Sequence, residues 1–241
     1  MGIRNLAFCL LSIPPSSHPQ IPVISDWNRL AVSEKPESTS ALVESFEPID
    51  FAGKAYSLMK YSLDKYQPDT ILIERQRYRS AGGAAIQEWT VRVNMLESMF
   101  HAVLHTLRAE KGIGKHFDVF SVSPKRITGF WLADVDEKLN ARETKLKKIR
   151  VAKDIVKGDQ VGMNVEIVGD AKEVAEALVG NTGGNASMKK VDDIADSMLQ
   201  GLTWWKWHTN RLETVEEILS WQDVIVENVK MEHRSIKKRK L

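Results

Sequence analysis

The most regular pattern of apolar positions in the chain lies between residues 85 and 110. Apolar side chains recur there at alternating steps of three and four residues, which places them on one face of a helix of about seven turns. The members of this stripe are Ile86, Trp89, Val93, Leu96, Phe100, Val103 and Leu107. The pattern predicts a long helix whose apolar face covers a sheet or forms a dimer contact, and it leaves both alternatives open.

Short apolar runs bounded by polar or proline-containing segments predict the strands. They cover residues 2–12, 21–27, 70–75 and 117–122, and residues 27–32 are a further candidate strand. Helices are predicted at residues 51–66, 145–156, 170–179, 191–207 and 215–231. Strands that alternate with helices after an initial meander predict an α/β fold with a mixed sheet.

The length of 241 residues is enough for one sizeable core, so we expect a single domain over residues 1–241. Within it, residues 33–48 are polar and contain two prolines, which predicts a surface loop. Residues 132–190 are expected to be an insertion, and residues 232–241 a basic tail. No apolar run approaches the roughly 20 residues of a membrane span, so no membrane partner is expected.

The net charge of +2 is too small to argue for a nucleic-acid partner, but the charges are unevenly distributed. Eight Lys or Arg residues and only two acids lie between residues 138 and 157. Such runs are either solvated faces or surfaces for a polyanion. The one cysteine, Cys9, excludes an intrachain disulfide and a cysteine-based zinc site.

Candidate chemistry begins at residues 71–79, where three large apolar residues end in the carboxylate of Glu74. Burying a carboxylate is costly unless it is paired or holds a metal ion. Arg75, Arg77 and Arg79 follow at alternate positions, with Tyr78 among them, and arginines attract a polyanion. A carboxylate that can bind a metal ion, next to arginines that can bind phosphate, predicts metal-assisted chemistry on phosphates.

A second acidic cluster, formed by Asp192, Asp193 and Asp196, opens a predicted helix. Pairs three or four residues apart lie on one helical face. Acids near a helix start also interact favourably with its dipole, which is the purely structural interpretation. Together with Glu74, however, these residues form the oxygen-only ligand set expected for a hard divalent cation such as Mg²⁺. Two such ions could activate a water and stabilise the leaving oxygen in phosphodiester hydrolysis.

Residues 74–80 (ERQRYRS) and 88–99 (EWTVRVNMLESM) resemble the fungal mitochondrial Holliday-junction resolvases, relatives of bacterial RuvC within the ribonuclease H-like superfamily. Further matches are residues 2–9 (GIRNLAFC), 121–125 (SVSPK) and 192–197 (DDIADS). They occur in the right order across nearly the whole chain. The resemblance implies a ribonuclease H-like mixed sheet flanked by helices, with helical insertions.

The resemblance also implies a homodimeric, Mg²⁺-dependent endonuclease that nicks four-way DNA junctions in mitochondria, with Mn²⁺ able to replace Mg²⁺. Glu74, Asp193 and Asp196 correspond to the catalytic metal ligands, and Asp192 is the alternative to Asp193. The expected DNA contacts are Arg4, Arg75, Arg77, Tyr78, Arg79, Lys125, Lys147, Lys148 and Arg150.

The chain departs from the family pattern at one position. The resolvases carry an aspartate directly before the glycine that matches Gly2, whereas this sequence has Met1 there. Without that carboxylate two metal ions would be poorly held. The alternative to an active nuclease is therefore a form that binds junction DNA but cleaves it weakly or not at all.

Overall fold

The computed structural model describes residues 2–14, 21–32, 46–76, 86–110, 116–133, 135, 139–180 and 191–238. Within these ranges the chain forms five strands and six helices, as expected for the α/β class. It groups into two compact units, Met1–Gly201 and Leu202–Leu241. The single domain over residues 1–241 stays a prediction. The described helices include none with the length and apolar character that a membrane span requires.

The first sheet begins with an antiparallel pair, β1 (Leu6–Ser12) and β2 (Val23–Leu30), in which Leu6 lies opposite Leu30. The predicted strands at residues 2–12 and 21–27 are therefore confirmed. The further strand at residues 27–32 is wrong, because β2 continues through Trp27 to Leu30 without a turn. A two-residue strand, β5 (Glu166–Ile167), pairs with β2 in parallel and was too short to be predicted.

The second sheet is the parallel pair β3 (Thr70–Glu74) and β4 (Asp118–Val122), both predicted from their apolar runs. The register places Thr70 opposite Asp118 and Glu74 opposite Val122. Because parallel strands bring their carboxyl ends to the same edge, Glu74 stands at the edge where both strands end.

The core beside this pair is built by α1 (Pro48–Tyr66) and α2 (Glu88–Ala109). The apolar face of α2 packs with residues of α1 and of β3, so this part of the predicted stripe covers other elements of the same chain. The buried side chains of this cluster include Phe51, Ala55, Leu63, Ile73, Val93, Leu96, Phe100, Leu104 and Leu107. Two predicted members of the stripe, Ile86 and Trp89, are exposed instead.

Four further helices complete the described chain: α3 (Pro124–Trp131), α4 (Ala141–Lys157), α5 (Ala171–Gly180) and α6 (Val191–Lys238). Helix α3 was not predicted, although a proline in the first turn is favourable for a helix. Helix α4 is well delimited, because Asn140 and Glu143 form a capping box at its start. Gly158, with φ of 79°, ends it in the left-handed region.

The two helices predicted at residues 191–207 and 215–231 are one continuous helix, α6. The intervening residues 208–214 are mostly polar but contain neither Gly nor Pro. Polar residues alone do not interrupt backbone hydrogen bonding, so the predicted break was wrong.

Candidate metal centre and nucleic-acid interface

Glu74 is half-buried, and the backbone that follows it is held on both sides. The N–H of Arg75 donates to the carbonyl of Val122 at 2.8 Å, which extends the parallel pairing by one residue. The side-chain amide of Gln76 donates to the carbonyl of Glu74 at 3.1 Å. These bonds fix the direction in which the chain leaves β3, and with it the position of Glu74.

A buried carboxylate that the sequence analysis missed, that of Glu97 on α2, holds the segment that follows Glu74. Its Oε2 accepts the backbone N–H of Gln76 at 2.9 Å. A signal existed in the sequence, because Glu97 is four residues after Val93 and three before Phe100, on the apolar face of the helix. A carboxylate on such a face requires a partner, and the first residues after β3 supply it.

The three aspartates lie in the first turns of α6, and all are half-buried. The helix is anchored there by Trp27 of β2, whose indole N–H contacts the carbonyl of Ile194 at 3.0 Å and the Oγ of Ser197 at 3.2 Å. A second indole, that of Trp131, donates to the carbonyl of Leu199 at 3.2 Å. Both tryptophans thus constrain the helix that carries Asp192, Asp193 and Asp196.

The pKa of Asp196 on α6 is influenced by Glu74 at the end of β3, so the two side chains lie near each other. Burial raises the pKa of this carboxyl group, and the ammonium group of Lys148 opposes the rise. The carboxylates of Glu74 and Asp192 raise the same pKa further. Glu74 and Asp192 are therefore both close enough to Asp196 to disfavour its charged form. Asp192, which the sequence analysis gave as the alternative to Asp193, lies four residues before Asp196 and raises its pKa. The choice between Asp192 and Asp193 as a ligand stays a prediction.

Two lysines of α4 contact these aspartates directly. Lys148 Nζ lies 2.6 Å from Oδ1 and 2.7 Å from Oδ2 of Asp196. Lys145 Nζ lies 2.7 Å from Oδ2 of Asp192. No group of three or more acidic, histidine or cysteine side chains in the described part of the chain is arranged around one ion position. The donor chemistry still fits a hard divalent cation, because every candidate donor is a carboxylate oxygen. The identity of the ligands stays a prediction.

The residues expected to contact DNA are distributed over several elements. Arg4, Arg75, Lys125 and Arg150 are exposed, and Lys147 is half-buried. The guanidinium of Arg4 lies 5.7 Å from the ring centre of Trp89, a cation–π contact. The other predicted contacts, Arg77, Tyr78 and Arg79, lie outside the described residues. Their roles in binding DNA stay predictions.

Comparison with known proteins gives consistent results. The chain is 33% identical over 211 residues to the mitochondrial cruciform cutting endonuclease 1 of Schizosaccharomyces pombe, covering 86% of this chain and 76% of that protein. It is 24% identical over 250 residues to the protein of the same name from Saccharomyces cerevisiae, covering 91% and 70%.

A solved structure, that of the yeast mitochondrial Holliday junction resolvase Ydc2, superposes with a TM-score of 0.60 at 29% identity. The match covers 87% of this chain and 76% of the other. It confirms the ribonuclease H-like α/β class expected from the sequence. Residues 1–214 match the family model described as mitochondrial resolvase Ydc2 / RNA splicing MRS1. On this match, the chain belongs to the Ydc2 resolvase family.

Proposed function

We propose that this protein is a mitochondrial endonuclease that resolves four-way DNA junctions by paired, Mg²⁺-dependent phosphodiester hydrolysis. The names of both curated relatives support the junction substrate and the compartment. The observation that carries the proposal for this chain is the placement of carboxylates at the end of β3 and at the start of α6, where Glu74 and Asp192 both raise the pKa of Asp196. Carboxylate oxygens from two separate elements are the donors that a hard divalent cation prefers.

In this proposal Glu74, Asp192 and Asp196 hold the cation, with Asp193 as the alternative helical ligand. A bound Mg²⁺ or Mn²⁺ ion would stabilise charge on the scissile phosphate and promote attack by water. The main-chain bonds of Arg75 and Gln76 keep Glu74 oriented, and the indole of Trp27 keeps the first turns of α6 in place.

The basic side chains are proposed to hold the DNA backbone. Arg75 directly follows Glu74 and is exposed, so it can contact a phosphate next to the one that reacts. Lys125 on α3 and the basic residues of α4 would contact flanking phosphates. Such contacts neutralise charge and release counterions, so junction affinity should fall steeply with salt. Two nicks across one junction require two centres, which a homodimer supplies.

The alternative is a member of the family that binds junction DNA but cleaves it poorly. One observation favours it. The family description includes an RNA splicing protein beside the resolvase, so its members do not share one activity.

A nicking assay on a mobile four-way junction separates the two functions, with a linear duplex of the same sequence as the control. The proposed nuclease cuts the junction only with Mg²⁺ or Mn²⁺ and leaves the duplex largely intact. Glu74→Gln should lower cleavage by about 100-fold or more, because a transition-state charge loses its stabilisation. Junction binding should persist in that variant. Binding without cleavage by the unmodified protein would support the alternative.

A further inference from the structure

The ion pairs between α4 and α6 compete directly with a cation. Lys148 spans both carboxylate oxygens of Asp196, and Lys145 contacts one oxygen of Asp192. A divalent cation requires the same oxygens at shorter distance, about 2.0–2.1 Å for Mg²⁺. Lys148 occupies both oxygens of Asp196, and the positive charges of both lysines would repel a cation bound nearby. Binding of the cation should therefore weaken or displace the lysine contacts, that of Lys148 most of all.

The two ion pairs, Lys145–Asp192 and Lys148–Asp196, join the same two helices through the same pair of facing surfaces. Lys145 and Lys148 are three residues apart on α4, and Asp192 and Asp196 are four apart on α6, so each pair lies on one face of its helix. Lys148 is the more enclosed lysine, with 15% of its side chain exposed against 47% for Lys145. The ion pair of Lys148 should consequently be the stronger of the two, because solvent screens it less.

We propose that Lys145 and Lys148 compete with the divalent cation for Asp192 and Asp196, and turn to DNA phosphates when the cation binds. The inference rests on the metal centre proposed above and adds a role for two positioning residues. The released ammonium groups lie beside the cation, where the phosphate of a bound strand must also lie. Cation binding would thus convert two internal ion pairs into two DNA contacts.

Metal affinity tests the competition without DNA and without activity. Mn²⁺ titrations followed by electron paramagnetic resonance should show Mn²⁺ binding about three- to tenfold tighter in Lys148→Met, because a partly enclosed competing ion pair is removed. Lys145→Met should bind about two- to threefold tighter. Lys148→Arg keeps a cation at the site and should remain close to the unmodified protein.

The matched control is Lys60→Met on α1, which removes a lysine–aspartate pair of 2.8 Å to Asp64 on an exposed helix surface. Its Mn²⁺ affinity should not change. If Lys148 only stabilised the fold, Lys148→Met would lower the Mn²⁺ affinity instead of raising it, because a loosened site binds metal less well. Unchanged or weaker Mn²⁺ binding by Lys148→Met overturns the competition, and so does failure of the unmodified protein to bind Mn²⁺.

Salt dependence of junction binding tests the second half of the inference. Ca²⁺ takes the same oxygen ligands and can serve as the cation, with cleavage checked on the same samples. Each lysine that reaches a phosphate adds about 0.9 to the slope of log affinity against log salt. Ca²⁺ also binds DNA and lowers the slope for any protein, so the two proteins are compared at one fixed Ca²⁺ concentration. The slope should be shallower in Lys148→Met than in the unmodified protein when Ca²⁺ is present, and the two slopes should agree without it. Equal slopes of the two proteins in Ca²⁺ refute the transfer to phosphate.

The outcomes separate this inference from the proposed function. If Mn²⁺ affinity rises in Lys148→Met but the unmodified protein does not nick junctions, the competition stands and the nuclease assignment fails. If the protein nicks junctions with Mg²⁺ while Lys148→Met binds Mn²⁺ no better than before, only the competition fails.

Discussion

Glu74 and Asp196 approach the proposed metal centre from elements that are supported in different ways. Glu74 ends a parallel strand, and the residues after it are held by main-chain bonds: Arg75 N–H donates to Val122 and Gln76 N–H donates to the buried carboxylate of Glu97. Asp196 lies in the first turns of a helix, and its carboxylate is held by the side chain of Lys148. Main-chain bonds keep the strand side fixed, whereas an ion pair can be exchanged. In the proposed centre, the strand half (Glu74) is therefore preorganised, and the helical half (Asp192 and Asp196) adjusts to the cation.

Glu97→Ala should disturb the strand half most strongly. It removes the acceptor of the Gln76 N–H and leaves that donor without its protein partner, which costs about 1–3 kcal/mol of unfolding free energy. Cleavage should fall by about 10–100-fold, because groups that orient metal ligands have effects of that size. Chemical denaturation and the nicking assay measure the two quantities.

Glu97→Gln is the matched control, because its amide oxygen can still accept the bond. If Glu97→Ala and Glu97→Gln reduced cleavage equally, the carboxylate charge would matter rather than the support of the turn. The hydrogen bond from Gln76 to Glu97 would then not be what keeps Glu74 in place.

Trp27→Phe should loosen the helical half by a smaller amount. The ring is buried and its packing is largely kept, while the hydrogen bonds to Ile194 and Ser197 are lost. Each lost bond costs about 0.5–1.5 kcal/mol, so the midpoint of denaturation should fall modestly and Mn²⁺ affinity should decrease.

Trp131→Phe removes one indole bond, to Leu199, further along the same helix, and serves as the comparison. Its effect on Mn²⁺ affinity should be the smaller of the two. A larger metal effect in Trp131→Phe would contradict the anchoring role of Trp27.

The pH dependence gives the smallest expected effect. The pKa of Asp196 is raised from its ordinary value of 3.8 by burial, and the nearby carboxylates of Glu74 and Asp192 add to the rise. Its contribution to stability is therefore full below that value and is lost as pH rises through the raised pKa. Only the charged form binds a cation, so cleavage should fall as the solution is acidified through the same range.

The pH at which the cleavage rate falls on acidification should become lower when the Mg²⁺ concentration is increased, because the cation favours the charged carboxylate. Rates at several Mg²⁺ concentrations across the acidic range measure this movement. An acid limb that does not respond to Mg²⁺ would mean that the titrating group does not face the cation.

Local patterns predicted most of the fold. The stripe of α2 was visible because Val93, Leu96, Phe100 and Leu107 repeat with the helical period and are all buried. Ile86 precedes the helix and Trp89 lies in its first turn, where the side chains are exposed, so periodicity alone overestimated the buried face. A periodic pattern predicts that a helix forms, but it does not show where along the helix the neighbouring elements stop covering it.

The candidate site was predicted by residue type but not by pairing. Glu74 stood out because burying a carboxylate is costly, and the aspartates stood out because together with Glu74 they form an oxygen-only ligand set. The contacts of Lys145 and Lys148 join helices that are distant in the sequence, and nothing in either segment specifies the partner. The choice between Asp192 and Asp193 likewise depends on how α6 is rotated about its axis, which tertiary packing sets.

The indole of Trp27 gives this protein an internal optical probe. Its emission depends on the two hydrogen bonds that it makes with the first turns of α6, next to the proposed ligands. Any rotation of those turns on binding a cation or DNA would change these bonds and so change the fluorescence. The difference between the spectra of the unmodified protein and Trp27→Phe isolates that signal from the other tryptophans. Occupancy of the centre could then be followed in real time without a label.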